Sequence, residues 1–252
     1  MRVWNSVAEW QDRRRTLDTC SIGLVPTMGA LHRGHVSLIE RCRKENKIAV
    51  VSIFVNPTQF DDPTDLERYP CTLEHDLDVL ESAGVDDVFA PSASELYPDG
   101  YRFRVEENCI TRVMEGIHRP GFLQGVMTVV LKLLNLVRAD RAYFGEKDYQ
   151  QLKLVTDMAR DFFVPTEIVP CATVRDASGL AESSRNRLLS PSARDRAAWV
   201  FRALTTATDT TAAKSTLESS GFSVAYVEEH WRRRFAAASI DGVRLIDNVP
   251  LA

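Results

Sequence analysis

The sequence has few cysteines, and they are not spaced as metal ligands. Cys20, Cys42, Cys71, Cys109 and Cys171 are odd in number and widely scattered, and no two of them form a C-x-x-C pair. This distribution argues against a disulfide framework and against a zinc ribbon. We therefore expect the chain to work in a reducing cytoplasm.

Long apolar runs and a strong excess of one charge are also missing. No apolar run approaches the length of a membrane span, and the N-terminal residues lack the apolar core of a signal peptide. The 31 Lys and Arg residues are balanced by 35 Asp and Glu residues, for a net charge of −4. We therefore expect no membrane or nucleic-acid partner, and an anionic ligand would need a local cluster of donors.

The chain contains enough hydrophobic residues, 44% of 252, for one large core or two modest ones. Up to about residue 172, short apolar runs alternate with amphipathic segments, which is typical of β-α-β units and predicts an α/β fold with a mostly parallel sheet. The predicted strands are Gly23–Pro26, Ile48–Val55, Asp87–Ala90, Arg141–Phe144 and Thr166–Pro170. The predicted helices are His35–Asn46, Leu73–Ser82, Gly125–Val137 and Asp148–Phe162.

The composition changes beyond about Val174. Arg175–Gly179 is rich in turn residues, and Ala/Arg/Thr-rich stretches typical of helices run from Ser192 onward. Asp241-Gly242 predicts a turn before a closing strand, Val243–Ile246. The sequence therefore predicts a larger domain of residues 1–173 and a small domain of residues 174–252.

His32 and His35 form an H-x-G-H pattern where the apolar run Ser21–Val25 gives way to a predicted helix. A helix start offers backbone N–H groups and the positive end of the helix dipole, and Gly29 and Gly34 let an anion approach the main chain. The pattern points to phosphate chemistry. Surface histidines or half of a metal site remain the alternatives for an isolated pair.

Polar loops follow two further predicted strands. They are Asn56–Phe60 and Gly145–Gln151. Ligands of open α/β sheets bind beyond the carboxyl ends of the strands. Taken singly, Lys147 is better explained as a solvated charge, and the glutamines as a helix surface. Together with the histidines, these loops offer phosphate donors and amides that suit a nucleotide bound with a hydroxy acid.

Ser183, Ser184 and Arg185 add two hydroxyls and a guanidinium near the predicted domain joint. A helix N-cap is the competing interpretation of the serines. If the second domain closes over the first, Arg185 would reach phosphates bound to the first domain from the opposite side of the cleft between the two domains.

The motifs occur along most of the chain in a specific order. They resemble the pantothenate synthetase, or pantoate–β-alanine ligase, family of the H-x-G-H nucleotidylyltransferase superfamily. The resemblance implies a Rossmann-like N-terminal domain, a smaller α+β C-terminal lid and a homodimer. The matching blocks are Pro26–His35, Phe54–Phe60, Arg119–Leu136, Phe144–Leu152, Val174–Asn186 and Arg244–Asn248.

The resemblance also implies a two-step reaction. ATP and (R)-pantoate, with Mg2+, give pantoyl adenylate and pyrophosphate, and β-alanine then displaces AMP to form pantothenate. It implies catalytic roles for His32, His35, Lys147 and Arg185, with His35 as the proton donor. The sequence assigns no residue as a metal ligand.

Substrate contacts are implied in the same way. Asn56, Gln59 and Gln151 are expected to contact pantoate, with Gln59 also close to β-alanine. The residues implied for ATP binding are Pro26, Met28, Gly29, Ala30, Leu31, His32, Arg33, Gly34, His35, Gly145, Glu146, Lys147, Asp148, Val174, Glu182, Ser183, Ser184 and Arg185.

Four features depart from the family pattern. Phe122 stands where the family usually has histidine, Glu182 where it has an apolar residue, and Cys71 where it has arginine. The region after Ser190 is shorter than in most relatives. Two alternatives follow: an enzyme that adenylates another acid or joins another amine, and a non-catalytic protein that binds nucleotide or a protein partner.

Overall fold

A computed structural model describes residues 1–60 and 63–251 of the chain. Its strands are β1 (Arg2–Trp4), β2 (Ile22–Thr27), β3 (Ile48–Ile53), β4 (Asp87–Phe89), β5 (Arg141–Gly145), β6 (Glu167–Cys171), β7 (Ser223–His230), β8 (Arg233–Ile240) and β9 (Val243–Pro250). Its α-helices are α1 (Val7–Arg15), α2 (Arg33–Glu45), α3 (Pro63–Arg68), α4 (Leu73–Ser82), α5 (Ala93–Leu96), α6 (Glu115–His118), α7 (Phe122–Val137), α8 (Tyr149–Asp161), α9 (Pro191–Ala197), α10 (Trp199–Thr206) and α11 (Thr210–Ser219). Short 3₁₀ helices lie at Pro57–Gln59, Ile110–Arg112, Glu146–Asp148 and Ser184–Leu188.

Strands β1 to β6 form one parallel sheet in the order β1-β4-β3-β2-β5-β6. The predicted α/β fold with a parallel sheet is confirmed, and the five predicted strands differ from the observed ones by one or two residues at their ends. Strand β3, for example, ends at Ile53 rather than Val55. Strand β1 was missed, because three residues with two exposed side chains carry little periodic signal.

The strand order reverses between β2 and β5. From β2 the chain adds β3 and β4 on one side, and it then returns to add β5 and β6 on the other. The crevice beyond the carboxyl ends of the strands at such a reversal is where open α/β sheets bind ligands. Here those ends are Thr27 and Gly145. Thr27 leads into the loop with the H-x-G-H pattern, and Gly145 leads into residues Glu146–Tyr149, which we call the Lys147 loop.

Helix α7 is largely buried, as its apolar sequence predicted. Ten of its residues are buried, including Leu133 and Leu134. Trp10 of α1 is fully buried and donates from its indole nitrogen to the carbonyl of Leu136 at 2.9 Å.

Among the described residues, no helix combines the length and apolar character needed to cross a membrane.

The described chain separates into two compact units that are interleaved in sequence. Unit 1 contains Met1–Leu31, His35–Gly145 and Gln150–Cys171. Unit 2 contains His32–Gly34, Glu146–Tyr149 and the chain from Ala172 onward. The domain limits at 1–173 and 174–252 stay a prediction.

Unit 2 is built on an antiparallel sheet in the order β7-β8-β9. Its core joins this sheet to the helices through buried side chains that include Leu204, Leu217 and Leu245. The helical stretches from Ser192 onward and the closing strand are confirmed by α9, α10, α11 and β9, although β9 continues to Pro250. Strands β7 and β8 were missed.

Candidate active site

A set of neutral polar side chains follows strand β3 in unit 1. Asn56 is fully buried, and its Nδ2 donates to Gln59 Oε1 at 2.8 Å and to the carbonyl of Gly125 at 3.2 Å. Its Oδ1 accepts from Thr58 Oγ1 at 3.0 Å and from the Tyr97 hydroxyl at 2.9 Å. We call Asn56, Thr58, Gln59 and Tyr97 the amide cluster.

The hydrogen bonds of the amide cluster orient Gln59. Because Gln59 Oε1 already accepts from Asn56, the Gln59 side chain offers its Nε2–H groups to a ligand. Burial raises the pKa of Tyr97 to about 12, so the phenol stays protonated and donates to Asn56. The Asn56 amide is thus occupied within the protein, which makes it a support for Gln59.

Gly125 allows α7 to approach the turn that carries Gln59. A Cβ added at Gly125 would lie 2.3 Å from the carbonyl oxygen of Thr58, well inside van der Waals contact. Only glycine therefore permits this contact without displacement of the Pro57–Gln59 turn.

Arg119 extends the amide cluster on its backbone side. Its Nη2 donates to the carbonyl of Gln59 at 3.1 Å, and its guanidinium carbon lies 3.9 Å from the centre of the Phe122 ring. Glu115 approaches the same guanidinium at 3.9 Å. Phe122, which stands where the resemblance led us to expect histidine, therefore supplies a flat surface for Arg119.

Two neighbouring glutamines of α8 have different surroundings. Gln150 is buried and donates to the carbonyls of Ile110 and Val113, both at 2.9 Å, while its Oε1 accepts from the N–H of Glu115 at 3.1 Å. Gln151 is half-buried, and its side chain makes no hydrogen bond within the described residues. Gln150 thus has a structural role, whereas the Gln151 amide can bind a ligand.

The loop before the histidines is shaped by Asp76 of α4. This buried carboxylate accepts from the backbone N–H groups of Ala30 at 2.9 Å and Leu31 at 2.8 Å, and from Thr72 Oγ1 at 3.1 Å. Gly29 and Ala30 both have positive φ, +78° and +49°. Because a non-glycine residue rarely adopts this conformation, the bonds to Asp76 help to hold Ala30 in it.

The other predicted ATP-binding residues of unit 1 lie in or near these elements. Pro26 lies in β2, Gly145 ends β5, and His35 lies in the first turn of α2. Met28 and His35 are both half-buried.

Unit 2 brings His32 and Lys147 together. Burial, assisted by the positive charges of Lys147 and Arg187 and opposed by Asp148, lowers the pKa of His32 to about 4. His32 Nδ1 accepts from the backbone N–H of Gly34 at 3.1 Å. His32 is therefore neutral at pH 7 with its proton on Nε2, which makes it a hydrogen-bond donor.

Lys147 and Asp148 lie side by side on the 3₁₀ helix Glu146–Asp148. Lys147 Nζ is 3.1 Å from Asp148 Oδ1, and the lysine side chain is only 18% exposed. We call His32, Lys147 and Arg187 the basic cluster. It combines two cations with a neutral donor, which suits an anion carrying several oxygens.

The segment Glu182–Arg185 has a separate set of contacts in unit 2. Glu182 Oε1 lies 3.8 Å from Arg33 Nη1, so Arg33 is one cation that faces this unexpected carboxylate. Ser183 Oγ accepts from the N–H of Arg185 at 3.3 Å, which confirms the N-cap interpretation for Ser183. Ser184 is buried, and the Glu182 N–H donates to the carbonyl of Val174 at 2.9 Å.

Several supporting residues were missed by the sequence analysis. Asp76 had a usable signal, because it lies four residues before the buried Leu80 and so places a carboxylate on an apolar helix face. Tyr97 had no local signal, since its partner Asn56 lies 41 residues away. Arg119 lies in a block that resembles the family, but nothing local to it indicated its bond to Gln59.

Comparison with known proteins shows one family along the whole chain. The profile of the pantoate-beta-alanine ligase family matches residues 2–250. Pantothenate synthetase of Bdellovibrio bacteriovorus is 49% identical over 250 residues, which are 99% of either chain. The enzyme of the same name from Legionella pneumophila is 47% identical over 249 residues, covering 98% of this chain and 99% of the relative.

Solved structures agree with this result. The crystal structure of pantoate-beta-alanine ligase from Francisella tularensis, complexed with beta-gamma ATP and beta-alanine, has a TM-score of 0.95 at 40% identity and covers 99% of this chain and 97% of its own. Pantothenate synthetase from Thermus thermophilus has a TM-score of 0.92 at 43% identity, with 99% of both chains covered.

Proposed function

Because the chain belongs to the pantoate–β-alanine ligase family, we propose that it condenses (R)-pantoate with β-alanine to form pantothenate, converting ATP to AMP and pyrophosphate. The observation that carries this proposal is the pair of polar sites that follow the parallel strands. The amide cluster suits a hydroxy acid, and the basic cluster suits a polyphosphate.

The first step activates pantoate. A pantoate carboxylate oxygen attacks the α-phosphorus of ATP, the bond from that phosphorus to the bridging oxygen breaks, and pyrophosphate leaves with the electron pair. Negative charge grows on the phosphoryl oxygens and on the leaving group, so donors fixed there lower the barrier. Lys147 and Arg185 would supply positive charge, and His35 would act as the proton donor.

His32 would contribute as a neutral donor. The low pKa keeps the His32 ring neutral, and because Nδ1 accepts a hydrogen bond from the Gly34 N–H, the ring proton is on Nε2. That N–H can donate to a phosphoryl oxygen and stabilise it without a change in the charge of the ring. This supports a division of roles in which Lys147 supplies charge and His32 supplies a directed hydrogen bond.

Pantoate would be held by amides. Gln59 would donate from Nε2 to a pantoate oxygen, and Gln151 would donate to or accept from a second one. Asn56, predicted as a direct contact, is better supported as the residue that orients Gln59. Because the amides are neutral, they bind hydroxyl and carboxylate oxygens without fixing the attacking carboxylate in an ion pair.

The second step joins the substrates. The uncharged amine of β-alanine attacks the acyl carbon of pantoyl adenylate, the C–O bond to phosphate breaks, and AMP leaves with the electron pair while the amine loses a proton. Orientation within the site would supply much of the acceleration.

Mg2+, the dimer and the compartment complete the proposal. Mg2+ on the phosphate oxygens would offset their charge. The Asp148 carboxylate, next to Lys147, is an oxygen ligand of the kind that Mg2+ accepts. We also propose that the protein is a cytoplasmic homodimer in which residues 174–252 act as a lid.

The test is AMP and pyrophosphate release from ATP with Mg2+ and (R)-pantoate, with and without β-alanine. We expect β-alanine-dependent AMP release that is abolished by His35→Ala. Other short hydroxy acids and amines, run in parallel, test the alternative of a different substrate pair. ATP binding without AMP release from any pair would instead support the non-catalytic alternative.

A further inference from the structure

The C-terminal block Arg244–Asn248 has no assigned role in the reaction, yet it lies in a strand that contacts the Lys147 loop. Asn248 of β9 is 2% exposed. Its Nδ2 donates to the backbone carbonyls of Glu146 and Lys147, each at 2.9 Å. The Asn248 side chain therefore binds the two peptide units that flank the Lys147 Cα, the atom from which the lysine side chain extends.

The amide oxygen of Asn248 also has a partner. Its Oδ1 accepts from Arg233 Nε at 2.5 Å. The amide orientation follows from the partners, because only Nδ2 can donate to two carbonyls and only Oδ1 can accept from a guanidinium. No other amide orientation, and no carboxylate, can satisfy all three partners.

Arg233 supports the same loop from β8. Its guanidinium lies 3.7 Å from Glu146 Oε2 and stacks 4.4 Å from the centre of the Tyr149 ring. Tyr149 in turn lies against Phe235, with ring centres 6.2 Å apart. The loop Glu146–Tyr149 is thus held at both ends by the antiparallel sheet of unit 2.

The preceding residue of β9 holds a second segment. Asp247 accepts from Arg175 Nη1 at 2.6 Å and Nη2 at 2.8 Å, and Arg175 also donates to the carbonyl of Gly179 at 3.1 Å. Arg175 pairs with Ala181 in an isolated bridge. Two consecutive residues of one strand therefore hold the Lys147 loop and the segment that leads to Glu182–Arg185.

We propose that Asn248 is a positioning residue for Lys147, acting through its two hydrogen bonds to the backbone of the Lys147 loop. This inference rests on the proposed function, because it assigns Lys147 to the phosphates of ATP. It predicts that loss of the Asn248 donors misplaces the Lys147 ammonium group without removing it.

The decisive variants are Asn248→Ala and Asn248→Asp. The aspartate is nearly the same size and keeps an acceptor for Arg233, but it places an oxygen against two carbonyls and removes both donors. A buried neighbour on the same strand, Val249→Ala, is the matched control, because it removes core contacts without touching the loop.

The first readout is amide hydrogen exchange of Glu146–Tyr149 in the intact protein. We expect both Asn248 variants to speed exchange there by about tenfold, since each lost hydrogen bond removes a modest stabilisation of the loop. Val249→Ala should speed amide exchange in Glu146–Tyr149 no more than it speeds exchange in the rest of unit 2. Unchanged exchange in the Asn248 variants, or an effect spread equally over unit 2, would overturn the proposal.

The second readout is a double-mutant cycle with Lys147→Ala. Alone, each Asn248 variant should lower kcat/KM for ATP, and the affinity for a non-hydrolysable ATP analogue, by about tenfold while the KM for β-alanine stays within about twofold. In the Lys147→Ala background, the further loss should be less than about threefold. Equal losses in both backgrounds would show that Asn248 acts independently of Lys147.

These outcomes are separable from the proposed function. If the wild-type protein releases no AMP with any substrate pair, the proposed function fails. Hydrogen exchange and the affinity cycle with the ATP analogue still decide whether Asn248 positions Lys147.

Discussion

The amide cluster and the basic cluster achieve fixed geometry in different ways. In the amide cluster, the functional side chain is held by other side chains and carbonyls packed around it, and Asn56 is fully buried. In the basic cluster, Lys147 is held through the backbone of its loop, while the ammonium group itself contacts Asp148.

The difference follows from the cost of burying charge. Neutral amides can be buried at low cost when they are hydrogen-bonded, as Asn56 is, so the amide groups themselves can be held in place. Burial of an ammonium ion is far more costly, and Lys147 keeps 18% of its side chain exposed. Lys147 is accordingly fixed through its main chain, and its charged end stays partly solvated.

The strongest test of this contrast removes the cation itself. Lys147→Ala should lower kcat for pantoate-dependent pyrophosphate release by about a hundredfold or more, since loss of one such donor costs roughly 3 kcal/mol. Thermal unfolding, measured on the same samples, should show that the variant remains folded while kcat falls. Lys153→Ala is the matched control, as Lys153 forms an ordinary i,i+4 ion pair with Asp157 on α8. Equal activity losses in the two variants would refute the role of Lys147.

The next test uses the pH dependence of stability. His32 has a pKa of about 4 in the folded protein, below the ordinary value of 6.5. Between these values the unfolded chain binds more protons, so the free energy of unfolding falls as the pH falls from 6.5 to 4, by at most about 3 kcal/mol from this group. His32→Asn should flatten this slope in denaturant titrations.

His75→Asn, at an exposed histidine of α4, is the control for that measurement. A change in slope common to both variants would not come from the burial of His32. An unaltered slope in His32→Asn would contradict the neutral state assigned to His32.

A smaller effect is expected from a charge placed in the amide cluster. In Gln59→Glu, Asn56 can still donate to the side chain, but a carboxylate replaces the Nε2–H groups and would repel the pantoate carboxylate. We expect the KM for pantoate to rise about tenfold or more with the KM for ATP unchanged. Gln150→Glu should instead lower the melting temperature, because the buried Gln150 amide donates to the carbonyls of Ile110 and Val113. A comparable rise in both KM values would argue against a pantoate-specific role of Gln59.

The smallest effect is expected at Phe122. Phe122→Leu keeps much of the volume but removes the ring beneath Arg119, an interaction worth about 0.5–1 kcal/mol at a partly exposed site. The KM for pantoate should therefore rise about two- to fivefold. Phe122→His retains an aromatic ring and should stay closer to the wild type. The opposite order of the two variants would show that the ring face is not what supports Arg119.

The parallel sheet was predictable because its strands are short, apolar and separated by amphipathic helices. Strand β8 was not, since Ala236, Ala237 and Ala238 have strong helix propensity. In the structure these alanines are fully buried in the sheet, and Ala236 and Ala238 pack in the core of unit 2. Tertiary packing overrides local propensity at this strand.

The same limit applies to the candidate site. Residues on the loops after strands, such as His32 and Lys147, were predictable from their position and chemistry. Their supports lie far away in the sequence: Asp76 is 46 residues from Ala30, and Asn248 is 101 residues from Lys147. Neither spacing nor periodicity carries information about such contacts, so only the folded chain reveals them.

The bonds from Asp76 to Ala30 and Leu31 affect when the chain loses its conformational entropy. Fixing a residue's backbone costs roughly 1–2 kcal/mol, so ordering Met28–Leu31 costs roughly 4–8 kcal/mol. Because the bonds to Asp76 already order this loop in the folded protein, a ligand that binds against it would not have to order its backbone. Weakening of Asp76 would therefore appear in calorimetry as a less favourable binding entropy, even if every contact in the final complex were kept.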